Sequence, residues 1–290
     1  MLVNLFDYCK ITPTGLVITQ EKYRSGSTSS YNSNNYFDIS QEKGIVKGNL
    51  SNHSIKRIRN AFYLLISITP FQTFIHPKTL REIKYKLTFI TLTLSAIQGT
   101  NPDKKIKREL LNHWLITAKR QFNVSHYLWK AETQKNGNIH FHITTNRYID
   151  SQKLRDSWNN IQNKLGYVDL FNDKYNHINP NSTDIHSVKN IHKMGAYVAK
   201  YISKNEKDRR LVEGKIFDCS NNLKSKDKCE LEIHNEDISI LYKLSNVLND
   251  RMIYGDYFKF IPMDDNEKKK YLPERWNNEY NEYLKRVREG

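Results

Sequence analysis

Two histidines and a glutamate in the middle of the sequence have the residue types of a metal site. His140 and His142 stand two positions apart in NIHFHITTN, residues 138–146, whose composition is typical of a strand. Because residues i and i+2 of a strand share a face, both imidazoles point the same way, with Cα atoms about 6.6 Å apart. Two neutral imidazoles and the carboxylate of Glu132 would leave coordination positions open, and such a site can polarise a phosphate.

The loop before these histidines decides whether Glu132 joins them. An Asn-Gly pair at 136–137 predicts a hairpin between two strands. With the glycine in a left-handed bulge position, the loop has three residues, 135–137, and Glu132 stands opposite His140. A two-residue loop would turn Glu132 to the other face of the hairpin. Gln134 shares the face of Glu132, nearer the turn, and is a weaker ligand candidate.

Two other interpretations of the histidine pair stay open. The histidines could be ordinary surface residues, or residues that serve only as hydrogen-bond partners. A cupin-type metal site is the second alternative. Such a site needs a glutamate a few residues after the second histidine, and ITTNR, residues 143–147, contains none.

A second run with chemical potential is YVAKYISK, residues 197–204, which has a helical pattern. Tyr197 and Tyr201 are four residues apart and share a helix face, and Lys200 and Lys204 repeat at the same spacing. In one interpretation both rings pack in the core and the lysines stay in solvent. In the other, a nearby ammonium favours the phenolate of a side chain whose pKa is normally near ~10, and attack on a phosphate gives a covalent phosphotyrosine. Two equivalent tyrosines would permit two successive transfers without water.

Strand-like and helical patterns alternate around these residues. KLTFITLTLS, residues 86–95, is rich in β-branched residues and predicts a buried strand. The predicted strands are 86–95, 125–134, 138–146, 182–188 and 213–219, and the predicted helices are 101–123, 150–166 (ended by Gly166) and 190–205. Short strands paired by hairpins and separated by helices indicate an α+β fold, with a central antiparallel sheet of about five strands and flanking helices.

The remaining sequence is predicted to form two extensions of a core at 82–219. Residues 1–81 are an N-terminal extension with one helix and a flexible, polar loop at 25–37. Residues 220–290 are a C-terminal extension with a helix at 236–249 and a charged, tyrosine-rich tail.

Composition narrows the expected partners and compartment. The 290 residues carry a formal net charge of +15 and 18 tyrosines, which favours a polyanion such as single-stranded nucleic acid as a partner. Cys9, Cys219 and Cys229 include no CxxC pair, which argues against a disulfide framework and fits a reducing compartment. We find no signal peptide and no membrane-spanning run, so we expect an intracellular protein with no membrane partner. The sequence holds no GxxxxGKS or GxxxxGKT motif, so we expect no P-loop ATPase motor in it.

Three motifs, taken in order, resemble those of the HUH endonuclease superfamily, in which two histidines flank a hydrophobic residue. FITLTLS (89–95) is similar to the first motif, a core strand, and HFH (140–142) to the second, the metal site. YVAKYISK (197–204) is similar to the third, the nucleophile helix in its two-tyrosine form. Glu132 stands eight residues before the first histidine, as the third ligand does in several relatives. The resemblance covers about 85–220 and is closest to rolling-circle replication initiators of bacterial plasmids and small single-stranded DNA phages.

The resemblance implies a metal-dependent nick in one DNA strand at an origin. Tyr197 or Tyr201 would join the 5′-phosphate and leave a 3′-hydroxyl for a polymerase, and the other tyrosine, or the same one, would later reseal the strand. Glu132, His140 and His142 would hold Mg²⁺ or Mn²⁺. The expected partners are single-stranded DNA or an origin hairpin, a host polymerase and a separate helicase, in the cytoplasm of a bacterial host.

Several points stay open at this stage. Asp184 and His186, on the strand before the tyrosine helix, either reach the metal, orient a ligand or belong to a plain edge strand. A relaxase or a single-strand transposase of the same superfamily would use the same chemistry, although relaxases usually carry three histidines and transposases one tyrosine. A non-catalytic origin-binding protein would fit the basic charge equally well.

Overall fold

The computed structural model describes residues 8–19, 51–75, 79–188, 210–224, 228–254 and 258–289. Its strands are β1 (Tyr8–Thr12), β2 (Gly15–Thr19), β3 (Gln72–Ile75), β4 (Glu82–Tyr85), β5 (Leu87–Thr93), β6 (Tyr127–Thr133), β7 (Ile139–Thr145), β8 (Thr183–Val188), β9 (Phe217–Cys219), β10 (Cys229–Glu232), β11 (Ile253–Tyr254) and β12 (Phe258–Pro262). Its α-helices are α1 (Asn52–Ile68), α2 (Asp103–Ile106), α3 (Asn112–Phe122), α4 (Ser151–Gln162), α5 (Tyr167–Tyr175), α6 (Asn235–Val247), α7 (Asp265–Tyr271) and α8 (Glu274–Glu289). The predicted loop at 25–37 and the predicted helix at 190–205 lie outside the described residues.

The chain divides into a central unit, residues 44–224, and a terminal unit that combines residues 1–43 with 225–290. The sequence pattern predicts a core at 82–219 instead. Helix α1 accounts for most of this difference, because it packs against β6 and β9 and therefore belongs to the central unit.

The central unit is built on an antiparallel sheet of five strands, in the order β8-β5-β7-β6-β9. This sheet and its helices confirm the predicted α+β fold. Strand β5 pairs with β7 on one side and β8 on the other, which explains the nearly continuous apolar and β-branched run of residues 86–95. Strands β3 and β4 form a separate two-stranded sheet.

One face of the central sheet is covered by helices. Trp129 and Phe141 project from this face into a buried cluster that also contains Trp114 of α3 and Trp158 of α4. The indole of Trp158 donates a hydrogen bond of 2.7 Å to the carbonyl of Thr93, which fixes α4 to the end of β5. Since strand residues alternate between faces, the neighbours of Phe141 on β7 point to the opposite side of the sheet.

Residues 103–122 form one helical segment, because a π-helical turn, Lys107–Leu111, joins α2 to α3. The segment confirms the helix predicted at 101–123. It ends at Asn123, whose φ of 55° lies in the left-handed region that asparagine tolerates.

The helix predicted at 150–166 is α4 followed by a short 3₁₀ turn, Asn163–Leu165. Asp150 caps α4 by accepting hydrogen bonds from the backbone N–H groups of Gln152 and Lys153. Gly166, at φ 76°, ends the turn as predicted, but α5 begins at the next residue and was not predicted. One glycine therefore ends one helical segment and starts another.

Helix α1 covers part of the opposite face of the central sheet. Ser51 caps this helix by accepting a hydrogen bond of 3.2 Å from the backbone N–H of Ser54. The ring of Phe62 stacks on Phe89 of β5, with centroids 6.5 Å apart. Phe89 lies at the start of β5, so the far end of this face, beyond Thr91, is the part where the histidines of β7 lie.

The terminal unit contains a second antiparallel sheet of five strands, in the order β10-β1-β2-β12-β11. Its strands were not predicted, and they bring the two ends of the sequence together. Helix α6 confirms the helix predicted at 236–249, and the predicted tail folds into α7 and α8. Trp276 of α8 is fully buried, which shows that the tail contributes to a core.

The cysteines are buried and free, and they lie in both units. Burial raises the pKa of the Cys219 thiol and of the Cys229 thiol to about 11, so both stay protonated at neutral pH. Among the described residues, no helix is both long enough and apolar enough to cross a membrane.

Candidate metal centre

The β6–β7 hairpin has the register that the Asn-Gly turn predicts. Glu132 pairs directly with His140, and Thr133 pairs with Ile139. The three loop residues at 135–137 are closed by a hydrogen bond of 2.8 Å from the Gln134 N–H to the Asn138 carbonyl.

Gly137 provides the bulge, because its φ of +83° lies in the left-handed region. Its N–H donates to the carbonyl of Gln134 at 3.0 Å, which closes the turn. The predicted three-residue loop is thus confirmed, and it places Glu132 on the face of both histidines.

The donor atoms of these three side chains converge. Oε2 of Glu132 lies 3.3 Å from Nε2 of His142 and 3.7 Å from Nε2 of His140. One ligand atom from each residue fits within 4.8 Å of the other two, and the two imidazole rings are 4.5 Å apart between centroids. The side chains of Glu132 and His140 are each 13% exposed, against 27% for His142, so the group is recessed but open on one side.

Glu132 is held as a carboxylate. Burial by itself would raise the pKa of this group, but hydrogen bonds from His140, His142 and Lys130 outweigh burial and bring the pKa well below its ordinary value. An ionised carboxylate beside two imidazole nitrogens is a donor set for a divalent cation.

Thr91 of β5 supports the group from the neighbouring strand. Its backbone pairs with His142, and its hydroxyl Oγ1 lies 3.3 Å from Nδ1 of that histidine. When Nδ1 carries the proton and donates to Thr91, Nε2 offers a lone pair toward Glu132. Thr91 was not predicted as a site residue, although the alternation of FITLTLS places it on one face of β5.

Lys130 is the second site residue that was not predicted from the sequence. Its Nζ atom donates to Oε1 of Glu132 at 2.8 Å, and its side chain is only 8% exposed. Lys130 precedes Glu132 by two positions on β6 and pairs with His142, so it shares their face. That spacing is the signal that could have identified it.

Asp184 and His186 form a pair of their own on β8. Oδ2 of Asp184 lies 2.7 Å from Nε2 of His186, and both side chains are more than half exposed. Asp184 pairs with Thr91 across the sheet, so Thr91 of β5 separates it from His142. In the described part of the chain, the group of His, Cys, Asp and Glu residues that could hold a metal contains neither of them.

The other predicted site residues have different outcomes. Gln134 stands at the loop end of β6, where its backbone closes the hairpin. Tyr197, Tyr201, Lys200 and Lys204 lie outside the described residues, so their roles stay predictions. The residues that the structure brings together are those of the hairpin and of Thr91.

This donor set fits a divalent cation. Glu132 is ionised, Thr91 orients one imidazole, and the group opens to solvent at His142. Mg²⁺ and Mn²⁺ both accept carboxylate oxygens, and imidazole favours the transition metal of the two. The geometry alone does not distinguish between these ions.

Comparison with known proteins adds a family to this geometry. Residues 87–206 match a family model described as a replication-associated protein of the ORF2 type. The matched range begins at the first residue of β5 and includes the whole β6–β7 hairpin. No curated protein matches the chain. No solved structure matches it either.

Proposed function

Because residues 87–206 belong to the ORF2-type family of replication-associated proteins, we propose that this replication-associated protein is a rolling-circle initiator that nicks one DNA strand at an origin. The observation that carries the proposal is the convergence of Glu132, His140 and His142 on one face of the β6–β7 hairpin. Two imidazoles and a carboxylate suit the activation of a phosphodiester.

In this proposal the hairpin side chains bind and orient. Glu132 provides one carboxylate oxygen, His140 and His142 provide one nitrogen each, and Thr91 holds the ring of His142. A bound Mg²⁺ or Mn²⁺ would withdraw charge from the scissile phosphate. The recessed position of Glu132 reduces competition from water for this carboxylate.

The proposed nucleophile is Tyr197 or Tyr201. The phenolate oxygen forms a bond to phosphorus, the bond from phosphorus to the 3′-oxygen breaks, and that oxygen takes up a proton equivalent to the one that the phenol lost. The products are a 5′-phosphotyrosine link and a free 3′-hydroxyl that a polymerase can extend. Lys200 and Lys204 would favour the phenolate by their positive charge.

Two tyrosines support a complete round of replication. One phenol would make the first nick, and the other would attack the regenerated junction, so the strand is rejoined without hydrolysis. The substrate class is single-stranded DNA at an origin, in agreement with the net charge of +15. Unwinding would depend on a separate helicase.

The proposal is tested by covalent capture on a labelled single-stranded origin oligonucleotide with Mn²⁺, read on a denaturing gel. We expect the wild-type protein to form a covalent adduct and the double variant Tyr197→Phe/Tyr201→Phe to form none. Tyr175→Phe is the matched control, because Tyr175 is half-exposed on α5 and should not alter capture. Adducts that persist in the double variant contradict the tyrosine assignment. Binding without any cleavage by the wild type would favour a non-catalytic origin-binding protein.

A further inference from the structure

The two oxygens of the Glu132 carboxylate have different partners. Oε1 accepts a hydrogen bond of 2.8 Å from Nζ of Lys130, whereas Oε2 faces the Nε2 atoms of His140 and His142. The carboxylate is therefore divided between a lysine on its own strand and a metal-binding group on the facing strand.

Lys130 is held in this position by the sheet. It lies on β6 between Phe217 of β9 and His142 of β7, and its side chain is 8% exposed. A charge-assisted hydrogen bond between two recessed groups is stronger than an exposed ion pair, so Oε1 is not readily released.

A carboxylate with one committed oxygen can offer a metal only the other oxygen. Ca²⁺ takes six to eight oxygen ligands and often binds carboxylates through both oxygens, whereas Mg²⁺ requires octahedral geometry with shorter bonds. One-oxygen binding by Glu132 therefore costs Ca²⁺ a ligand and costs Mg²⁺ or Mn²⁺ none.

We propose that Lys130 determines the ion specificity of this site, by restricting Glu132 to one-oxygen binding and so disfavouring Ca²⁺ relative to Mn²⁺ and Mg²⁺. This inference rests on the metal site of the proposed function. Lys130 acts through Glu132 and is a positioning residue. Its effect is on which cation binds.

The charge of Lys130 can be separated from its positioning effect. Removing a positive charge near the site strengthens the binding of any divalent cation, and to a similar extent for Ca²⁺ and Mn²⁺ because their charges are equal. The ratio of the two dissociation constants therefore cancels most of the electrostatic change. A change in this ratio reports how many carboxylate oxygens are available.

The experiment measures Kd for Mn²⁺ and for Ca²⁺ by titration calorimetry on the full chain, without DNA. In Lys130→Met we expect the ratio of Kd for Ca²⁺ to Kd for Mn²⁺ to fall about tenfold relative to the wild type. Lys84→Met is the matched control, since it removes an exposed lysine of β4, and it should leave the ratio unchanged.

An unchanged ratio in Lys130→Met overturns the inference while leaving the proposed function intact. A wild-type protein that binds neither ion contradicts the metal site itself, so the two failures are distinguishable. If Lys130→Met does not fold, infrared difference spectra of the wild type with and without Mn²⁺, with Glu132→Gln as the blank, report the carboxylate. We expect the splitting of a one-oxygen ligand, and the splitting of a two-oxygen ligand would overturn the inference.

Discussion

Glu132 stands directly opposite His140 in the β6–β7 hairpin, and its Oε2 atom lies 3.7 Å from Nε2 of that histidine. This relationship depends on a loop of three residues. A shift of the register by one residue would move Glu132 to the buried face that carries Phe141. The metal-binding group is thus a consequence of turn chemistry as much as of its ligands.

The left-handed conformation of Gly137 predicts the effect of replacing it. A Cβ atom at this position would meet nothing within 4 Å, so the cost of Gly137→Ala is conformational and should lower the free energy of unfolding by about 1 kcal/mol. Gly137→Asn should cost less, because asparagine tolerates this region. Urea denaturation measures both variants, and an alanine variant as stable as the wild type would contradict the required bulge.

The hydroxyl of Thr91 is expected to matter for metal affinity. Thr91→Val removes the contact to Nδ1 of His142 while preserving side-chain shape, and Kd for Mn²⁺ should rise about tenfold. Thr93→Val, which removes the next hydroxyl along the same face of β5, is the control and should have little effect. Equal losses in both variants would mean that Thr91 does not orient the imidazole.

Mn²⁺ should stabilise the folded protein through the hairpin residues. At free Mn²⁺ a hundredfold above Kd, linkage predicts a gain of about 2.7 kcal/mol in the free energy of unfolding. His140→Ala/His142→Ala should lose this gain, whereas His113→Ala, at an exposed position on α3, should keep it. Thermal denaturation with Mn²⁺ and with EDTA measures the difference. Equal stabilisation of all three proteins would place Mn²⁺ binding elsewhere.

Asp103 is expected to anchor the segment that follows residue 209. Its carboxylate is fully buried and accepts hydrogen bonds of 2.8 Å from both terminal nitrogens of Arg210, as well as from Gln98 and the Glu213 backbone. At pH 7, Asp103→Asn should lower the free energy of unfolding by about 2–3 kcal/mol, because the paired charge is lost. Asp169→Asn, an exposed acid in the first turn of α5, is the control.

The same anchor predicts a pH dependence. Although burial would raise the pKa of Asp103, its bonds to Arg210, Gln98 and the Glu213 backbone lower it below the ordinary value of 3.8. A lowered pKa stabilises the fold above the ordinary value, and this contribution is lost as the pH falls through the pKa of the folded state. The stability difference between the wild type and Asp103→Asn should therefore shrink as the pH falls below 3.8. Urea denaturation at a series of pH values measures it, and a constant difference would contradict the assignment.

Local signals made the site hairpin predictable from sequence. The Asn-Gly pair fixes the loop, the loop fixes the register, and the register fixes the face of Glu132. Lys130 was not predicted, because a lysine on a strand usually lies in solvent. Only the pairing of Lys130 with His142 reveals that it is buried beside the carboxylate.

The terminal unit was not predictable in the same way. Strand β1 has five residues, and its pairing joins Tyr8 to Glu232, so no local turn signal marks it. Helix α5 was missed for a different reason, since Gly166 normally indicates where a helix stops. Long-range pairing and a dual-purpose glycine leave no pattern in a short window of sequence.

The central claim is tested most directly by mapping where the DNA becomes attached. The wild-type protein is incubated with single-stranded origin DNA and Mn²⁺, digested, and analysed by mass spectrometry for the modified peptide. We expect a 5′-phosphotyrosine at Tyr197 or Tyr201, formed only with the divalent cation and lost in His140→Ala/His142→Ala. Attachment at a residue outside this pair, or attachment at an undiminished rate without the histidines, would contradict the account.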